Sequence, residues 1–187
     1  MTNAWIIKPL GMTSTMYKPD KALLPRIIPT EFDSLYRHSL VHGEVHDENA
    51  HLIGGVSSHA GLFSTAENMA NYAQMLLNNG TWLGKRIFNE SIVNKFTTRQ
   101  YLPDDSDYAL GWDTPSQNET SSAGDYFSNN SFGHLGFTGT SLWIDPKEEI
   151  IIILFTNRVH PTRERGGIYG IRREFHNAIM KVLLDKP

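Results

Sequence analysis

Residues 132–141 carry the clearest chemical pattern in the chain, because a histidine stands among glycines on a short predicted strand. His134 is flanked by Gly133 and Gly136, and neither glycine has a side chain that would keep a ligand away from the backbone. The imidazole can offer a hydrogen-bond donor near neutral pH. This pattern favours recognition of a carbonyl or carboxylate. The alternative is a histidine whose hydrogen bonds are satisfied inside a β-hairpin.

A histidine-rich stretch is the second candidate site. Its potential metal ligands are His38, His42, His46, Asp47 and His51. On a continuous helix the first three histidines would share a face and could bind zinc. Gly43 interrupts the stretch and prolines precede it, so a loop with solvated or packed histidines is favoured and no metal is expected. A metal-binding protein built on this loop remains the less favoured alternative.

Residues 55–59 form the third candidate. They begin like the turn that presents a nucleophilic serine in many hydrolases, but His59 stands where the second glycine of that turn belongs. The preceding residues do not form a clear buried-strand pattern. Ser57 is therefore a weak candidate for a nucleophile, and a structural use of the small residues is favoured.

Four segments, in the right order, resemble the class C-like branch of the serine β-lactamase and penicillin-binding-protein superfamily. They are Pro9-Leu10-Gly11-Met12, the glycine-rich stretch 54–65, His134-Leu135-Gly136, and the strand end Leu154-Phe155-Thr156-Asn157. In that family a Lys-Thr-Gly or His-x-Gly motif forms one wall of the active site. The resemblance implies that residues 1–187 are a single C-terminal portion of such a domain, with a partial β-lactamase/transpeptidase-like fold.

The same resemblance implies roles for individual residues. It assigns substrate polarisation to His134, close substrate approach to Gly136, and an oxyanion-binding backbone amide to Phe137. The implied substrate contacts are Leu135, Thr138, Asn157 and Arg158, although a strand-end asparagine and a solvated arginine would explain the last two equally well. Leu135 replaces the threonine of the lysine version of the motif, which favours ester or peptide acyl groups over β-lactams.

The family nucleophile is missing from this sequence. No serine is followed by a lysine three residues later. Tyr126-Phe127-Ser128 matches the family's Tyr-x-Ser element but lies in the wrong place, so a polar loop tyrosine is favoured. We therefore expect the C-terminal part of a hydrolase that transfers acyl groups from an ester, amide or β-lactam to water, catalytically incomplete and inactive alone. The alternative is a non-catalytic module that binds an acyl or peptidoglycan-like ligand.

Hydrophobic periodicity predicts an α+β fold in which an antiparallel sheet of at least three strands packs with a C-terminal helix and shorter helices. Strands are predicted at residues 108–112, 140–144 and 150–155, and the last is apolar at every position, as in a central strand covered on both faces. Helices are predicted at residues 2–8, from 64 to about 78, and at 90–98. Ser64 and Glu67 would form the capping box of the second helix, which Asn79-Gly80 would end.

The C-terminal helix is predicted to begin near Ile168 and to bury one stripe, formed by Ile171, Phe175, Ile179, Val182 and Leu183. Two other segments lack periodicity. Residues 18–49 are rich in proline and histidine and are predicted as an irregular excursion. Residues 116–130 are rich in serine, asparagine and glycine and are predicted as a flexible loop.

Bulk properties exclude several classes of protein. The 187 residues are 40% hydrophobic and 20% charged, with a net charge of -3, which is ordinary for a globular domain and gives no electrostatic footprint for nucleic acid. No apolar run could span a membrane. Because cysteine is absent, disulfides are excluded. We expect no cofactor.

The sequence does not fix the cellular compartment or the partners of the protein. The family resemblance implies an extracytoplasmic protein, but the first residues lack a signal-peptide pattern. If an N-terminal half normally covers the sheet, its absence leaves an unpaired edge and apolar surface. We therefore expect self-association, or pairing with that half.

Overall fold

The computed structural model describes residues 1–103, 106–117 and 120–185. Its α-helices are Glu48–Leu52 (α1), Ala66–Leu77 (α2), Glu90–Thr97 (α3) and Ile168–Leu183 (α4). A π-helical turn covers Asn3–Ile7 and a 3-10 helix covers Lys21–Arg26. The strands are Met16–Tyr17 (β1), Phe32–Asp33 (β2), Ser39–Leu40 (β3), Leu62–Phe63 (β4), Thr81–Trp82 (β5), Lys85–Arg86 (β6), Phe132–Leu135 (β7), Ser141–Asp145 (β8) and Ile150–Leu154 (β9). None of the helices in these ranges is long and apolar enough to cross a membrane.

An antiparallel sheet in the order β7-β8-β9 confirms the predicted α+β architecture. The central strand, however, is β8, whose five residues are all buried, whereas β9 lies at the edge and is mostly half-buried. The prediction of a central strand at 150–155 was therefore wrong. An all-apolar strand needs cover on both faces but does not need two neighbouring strands.

Both faces of the sheet are covered, and the isoleucines of β9 are divided between them. Ile151 and Ile153 pack against a core that includes Leu10, Met75 and Leu76 on the α2 side. Ile152 belongs to a second core, with Phe127, Trp143 and Met180, on the α4 side. Each large apolar side chain fully buried in these cores contributes about 1.5–3 kcal/mol.

The ends of α2 show how local sequence sets a helix. The helix starts one residue later than predicted, because the Oγ1 of Thr65 accepts the Asn68 N–H at 3.2 Å and Ser64 bonds instead with Thr15. The predicted stop is confirmed. Asn79 takes a left-handed φ of 50°, and the Gly80 N–H reaches back to the Met75 carbonyl at 2.8 Å, as in a Schellman motif.

The predicted apolar stripe of α4 was only partly right. Phe175 and Ile179 pack against the second core, but Ile171, Val182 and Leu183 are exposed by 53%, 81% and 57%. The buried positions at helical spacing are Arg172, His176 and Met180. The two polar side chains can lie inside because both find partners there: Arg172 donates to carbonyls, and His176 bonds with Ser141 and the Ser122 carbonyl.

The strand predicted at residues 108–112 was also wrong. Gly111 has a φ of 81°, and the Ala109 N–H bonds the Trp112 carbonyl at 2.8 Å, so the chain turns instead of extending. Only isolated bridges join Tyr108 to Asp113 and Asp113 to Gly133. Of the alternating apolar residues, Trp112 packs against the first core, whereas Tyr108 and Leu110 are exposed.

The two segments predicted as irregular differ in character. Residues 18–49 contain the 3-10 helix, the β2–β3 hairpin and the start of α1, joined by turns. Within 116–130, residues 118 and 119 lie outside the described residues, and the others form no helix or strand. Ala123 and Phe127 nevertheless enter the second core. The flexibility of this loop stays a prediction.

Candidate active site

A cleft of about 1170 Å³ gathers most of the residues to which the sequence assigned chemistry. Its lining includes His134, Leu135, Gly136, Phe137, Thr138 and Asn157. The first two lie on β7, the next three on the turn between β7 and β8, and Asn157 follows β9. One end of the three-stranded sheet therefore brings these side chains to a common opening.

His134 lies on β7 opposite Leu142, with an exposed side chain. Its Nδ1 lies 2.8 Å from the Leu135 carbonyl oxygen. Because a carbonyl only accepts hydrogen bonds, Nδ1 carries a proton in this geometry and Nε2 is left for a ligand. A neutral His134 therefore presents an acceptor to the cleft, and it presents the donor expected from the sequence only when protonated.

Asp113 lies beside His134 and pairs through its backbone with Gly133. Burial raises the pKa of the Asp113 carboxyl group, and the nearby charges of His134 and Arg172 partly oppose that rise. This carboxyl group was not singled out from the sequence. Its place beside Gly133 depends on a bridge between segments twenty residues apart, which local periodicity does not reveal.

The turn after β7 is held by hydrogen bonds within the turn and by an arginine side chain of α4. The Gly136 N–H donates to the Thr140 carbonyl at 2.8 Å, and the Gly139 N–H donates to the Gly136 carbonyl at 3.0 Å. Arg172 of α4 donates to both carbonyls, those of Gly136 and Thr140, at 2.7 Å. A Cβ atom at Gly136 would lie 2.1 Å from Thr140 Oγ1, so the glycine is required by packing as well as by any ligand.

Phe137 presents an unused backbone donor. Its N–H donates to no acceptor within the described part of the chain. Its ring is stacked on His46 at 5.6 Å between centroids, and the Arg158 guanidinium lies 4.3 Å from the ring centroid. The aromatic side chain therefore fixes the peptide that carries the free N–H group.

Arg158 and Asn157 are engaged by backbone carbonyls. The Nε of Arg158 donates to the Phe137 carbonyl at 2.7 Å, and another of its nitrogens donates to the Arg163 carbonyl at 3.0 Å. The role of Arg158 as a substrate contact stays a prediction. Asn157 donates to the Pro29 carbonyl at 2.7 Å, and its buried Oδ1 has no partner among the described residues.

A buried ionic network forms another part of the cleft wall, and sequence reasoning missed it. Glu31 accepts from the Arg163 N–H at 2.8 Å and lies 2.8 Å from His46 Nε2. The Arg163 side chain also pairs with Glu31 and Glu48. Burial raises the pKa of the Glu31 carboxyl group, but the bonds from Arg163 and His46 outweigh it and the net pKa is lowered.

Two of the histidines considered as zinc ligands, His42 and His46, form structural hydrogen bonds. His42 Nε2 bonds the Leu24 and Ile27 carbonyls, and His51 approaches Glu44 at 3.6 Å. Residues 38–46 form no helix, so the four-residue spacing does not create a shared face. Across the described ranges, no group of three or more potential ligands could hold a metal ion.

Ser57 has a different environment from the one the sequence favoured. Its Oγ lies 2.7 Å from His59 Nδ1, and His59 Nε2 lies 3.2 Å from Asp47 Oδ1. All three residues line the same cleft. Asp47 lies twelve residues before His59 in the sequence. The close spacing of Ser57 and His59 was therefore the one local signal for this arrangement.

Tyr126-Phe127-Ser128 lies outside the lining of the cleft. Tyr126 packs against the second core, and Ser128 bonds Asp145 through both its N–H and its hydroxyl. The structure thus agrees with a structural use of this tripeptide.

Comparisons with known proteins indicate one family for this chain. A family model described as β-lactamase matches residues 3–175. A protein of Salmonella gallinarum with the provisional name D-alanyl-D-alanine carboxypeptidase is 36% identical over 169 residues, which cover 83% of this chain and 39% of that protein. The chain thus spans about two fifths of the length of such curated relatives.

Solved structures agree on the fold. A β-lactamase from Mycobacterium bovis has a TM-score of 0.61 at 19% identity, covering 97% of this chain and 54% of its own. Simvastatin synthase from Aspergillus terreus has a TM-score of 0.65 at 15% identity, covering 97% of this chain and 49% of its own. At these identities the likeness supports the fold alone.

The lowered pKa of Glu31 predicts how stability depends on pH. A carboxyl group whose pKa is lower in the folded state stabilises the fold above its unfolded pKa, near 4.5, and this contribution is lost as the pH falls. Glu31→Gln should therefore lower the free energy of unfolding by about 1–3 kcal/mol at pH 7. Its difference from the wild type should shrink below about pH 4.5, as measured by urea unfolding at several pH values.

Glu44→Gln is the matched control, because the Glu44 side chain is 60% exposed and only approaches its partners. It should change stability by less than about 0.5 kcal/mol. A Glu31→Gln curve parallel to that of the wild type across the whole pH range would contradict the network.

Proposed function

Because the chain belongs to the β-lactamase family, we propose that it is the C-terminal part of a serine acyl-transfer hydrolase. The reaction would move an acyl group from an ester, an amide or a β-lactam to water through a serine ester. The observation that supports this most is the unused N–H group of Phe137, held beside His134 on one wall of the cleft. That arrangement fits a carbonyl oxygen that gains negative charge during acyl transfer.

The wall would act on the substrate in three ways. The Phe137 N–H would donate to the developing oxyanion, and one such donor is typically worth about 2.7–4 kcal/mol of transition-state stabilisation. Gly136 lets the carbonyl approach the backbone. His134 Nε2 would accept a hydrogen bond from a substrate N–H or O–H when neutral, and would donate to a carboxylate when protonated.

A D-alanyl peptide is the substrate class we favour. The relatives carry the name D-alanyl-D-alanine carboxypeptidase, and such a peptide offers both an acyl carbonyl and an N–H group. Leu135 supplies no hydroxyl, and Arg158 is engaged by carbonyls. Both features bear equally on the C-terminal carboxylate of such a peptide and on that of a β-lactam, so the choice of substrate class rests on the relatives and on the N–H group.

The nucleophile would come from outside these 187 residues, since no Ser-x-x-Lys is present. Acyl transfer needs an activated serine within reach of the carbonyl, and the wall alone cannot replace it. We propose that the remainder of a longer domain supplies the serine and its lysine. By itself the chain would then bind substrate without turning it over.

Kinetic assays of the isolated chain test this proposal. Neither a chromogenic cephalosporin nor an acetylated D-alanyl-D-alanine peptide should give a burst or steady turnover, because the family nucleophile is absent. Adding the separately expressed N-terminal part of a relative should restore turnover. In that mixture His134→Ala should lower kcat/KM relative to the wild type, whereas the distant variant Leu83→Ala should not.

A stoichiometric burst with the isolated chain would contradict the proposal. Saturable peptide binding, with no turnover even in the mixture, would instead favour a second candidate, a non-catalytic acyl or peptidoglycan-binding module. The intact cleft in a chain without Ser-x-x-Lys is the observation that keeps this candidate open.

We also propose that the open edge of the sheet at β9 and the exposed apolar side chains of α4 take part in association. β9 is an edge strand with an apolar sequence, and Ile171, Val182 and Leu183 project from α4 into solvent. Edge strands and apolar surface both invite pairing. In a complete domain an N-terminal part would cover the β9 edge and these α4 side chains. In the isolated chain a second copy of the chain would cover them.

Light scattering tests the association. The isolated chain should form a dimer or larger species, and Val182→Lys with Leu183→Lys should shift it toward monomer, because charge on the contact surface opposes burial. Leu83→Lys is the matched control, since Leu83 is 82% exposed on a different turn. A monomeric wild type at high concentration would count against the proposal.

A further inference from the structure

A chain of three hydrogen-bonded side chains lies in the cleft, separate from the wall formed by β7. Ser57 Oγ and His59 Nδ1 are 2.7 Å apart, and His59 Nε2 and Asp47 Oδ1 are 3.2 Å apart. The order is hydroxyl, imidazole, carboxylate. Such an order can activate a serine if the proton on the imidazole is correctly placed.

The hydrogen bonds define where that proton lies. Asp47 is held as a carboxylate, because the Ala50 N–H bond lowers its pKa against the effect of burial, with further help from His59. A carboxylate only accepts, so His59 Nε2 carries the proton. Nδ1 then has a free lone pair that accepts the Ser57 hydroxyl proton, which is the state needed for a general base.

The loop that carries Ser57 and His59 is constrained and open to solvent. The Tyr17 hydroxyl donates to the Ser57 carbonyl at 3.1 Å. Gly61 has a φ of 103°, and a Cβ atom there would lie 2.6 Å from the Gly55 carbonyl oxygen. The N–H groups of His59 and Ala60 donate to no acceptor among the described residues, so the same loop offers free donors for an oxyanion.

We propose that Ser57 is a second acyl-accepting nucleophile in this cleft, with His59 as its general base and Asp47 as the positioning residue. This goes beyond the proposed function, in which the nucleophile belongs to Ser-x-x-Lys. The substrates would be small activated esters and organophosphorus electrophiles, which need little further recognition because they carry good leaving groups.

The reaction balances without a cofactor. Ser57 Oγ bonds the ester carbonyl carbon while its proton moves to His59 Nδ1, and the carbon–oxygen bond to the alcohol then breaks as that alcohol takes the proton. Water releases the acyl group by the same steps in reverse, giving acid and alcohol. With a fluorophosphonate the oxygen–phosphorus bond forms, fluoride leaves, and the adduct remains on Ser57.

Labelling with a fluorophosphonate tests the proposal on the isolated chain. We expect one adduct per chain by intact mass, located on Ser57 by peptide mapping. Ser57→Ala should abolish the adduct, and Ser58→Ala, on the neighbouring exposed serine, should leave the rate unchanged. His59→Gln should slow labelling about 100-fold or more, the lower end for loss of a general base.

Asp47→Asn removes the negative charge beside the imidazole, because the Oδ1 of asparagine can still accept both the Ala50 N–H bond at the start of α1 and the His59 Nε2–H bond. It should slow labelling at least about tenfold and move the pH profile of the rate to lower pH, since the imidazolium loses its counter-ion. Asp47 and Tyr17 are the titratable groups that reach this loop by hydrogen bonds in the described residues.

Either of two results would overturn the proposal: no adduct on the wild type, or an adduct that Ser57→Ala leaves in place. Circular dichroism of each variant would establish that it is folded, which is expected because Ser57 and His59 are not buried. The β-lactam and peptide assays above are run on Ser57→Ala as well as on the wild type: a burst that Ser57→Ala removes comes from this serine, whereas a burst that persists contradicts the proposed function, so the two proposals can be distinguished.

Discussion

The arrangement of the cleft wall depends on the hydrogen bonds that the buried guanidinium of Arg172 donates. Arg172 lies on the inner face of α4 and donates to the carbonyls of Gly136 and Thr140. These bonds close the turn after β7 against the helix, and the N–H of Phe137 within that turn is left without a partner among the described residues. Burial lowers the pKa of Arg172, as does the charge of Arg158, while Asp113 opposes the change. The helix, the turn and the carboxyl group of Asp113 are therefore coupled electrostatically.

A second constraint attaches the irregular segment 18–49 to this wall. Glu31 and Glu48 both pair with Arg163, and His46 extends the network to the ring of Phe137. Removing Glu31 would leave the half-buried Arg163 paired with Glu48 alone, which is why the expected loss is moderate. A segment with little regular structure can thus have a defined position, because its charged side chains are satisfied by a loop more than a hundred residues later.

The sequence predicted what depends on neighbouring residues. The His134–Gly136 motif and the apolar segments 140–144 and 150–155 located β7, β8 and β9, and Asn79-Gly80 located the end of α2. The sequence-based predictions failed where residues distant in the sequence determine which side chains are buried. Arg172 and His176 take the inner face of α4 because Gly136, Thr140, Ser141 and Ser122 satisfy them, and no local pattern contains those partners. Likewise, the bond between Asp47 and His59 joins the start of α1 to the loop before β4, and no local pattern contains both residues.

The most direct test of the wall is an amide ¹⁵N–¹H NMR titration of the isolated chain with an acetylated D-alanyl-D-alanine peptide. If the turn held by Arg172 receives the acyl carbonyl, the amides of Phe137 and His134 should show the largest shifts and saturate together, while signals from the distant β5–β6 turn stay fixed. Binding that leaves Phe137 and His134 unperturbed, or shifts that centre on another surface, would contradict the assignment of this turn as the acyl-binding wall.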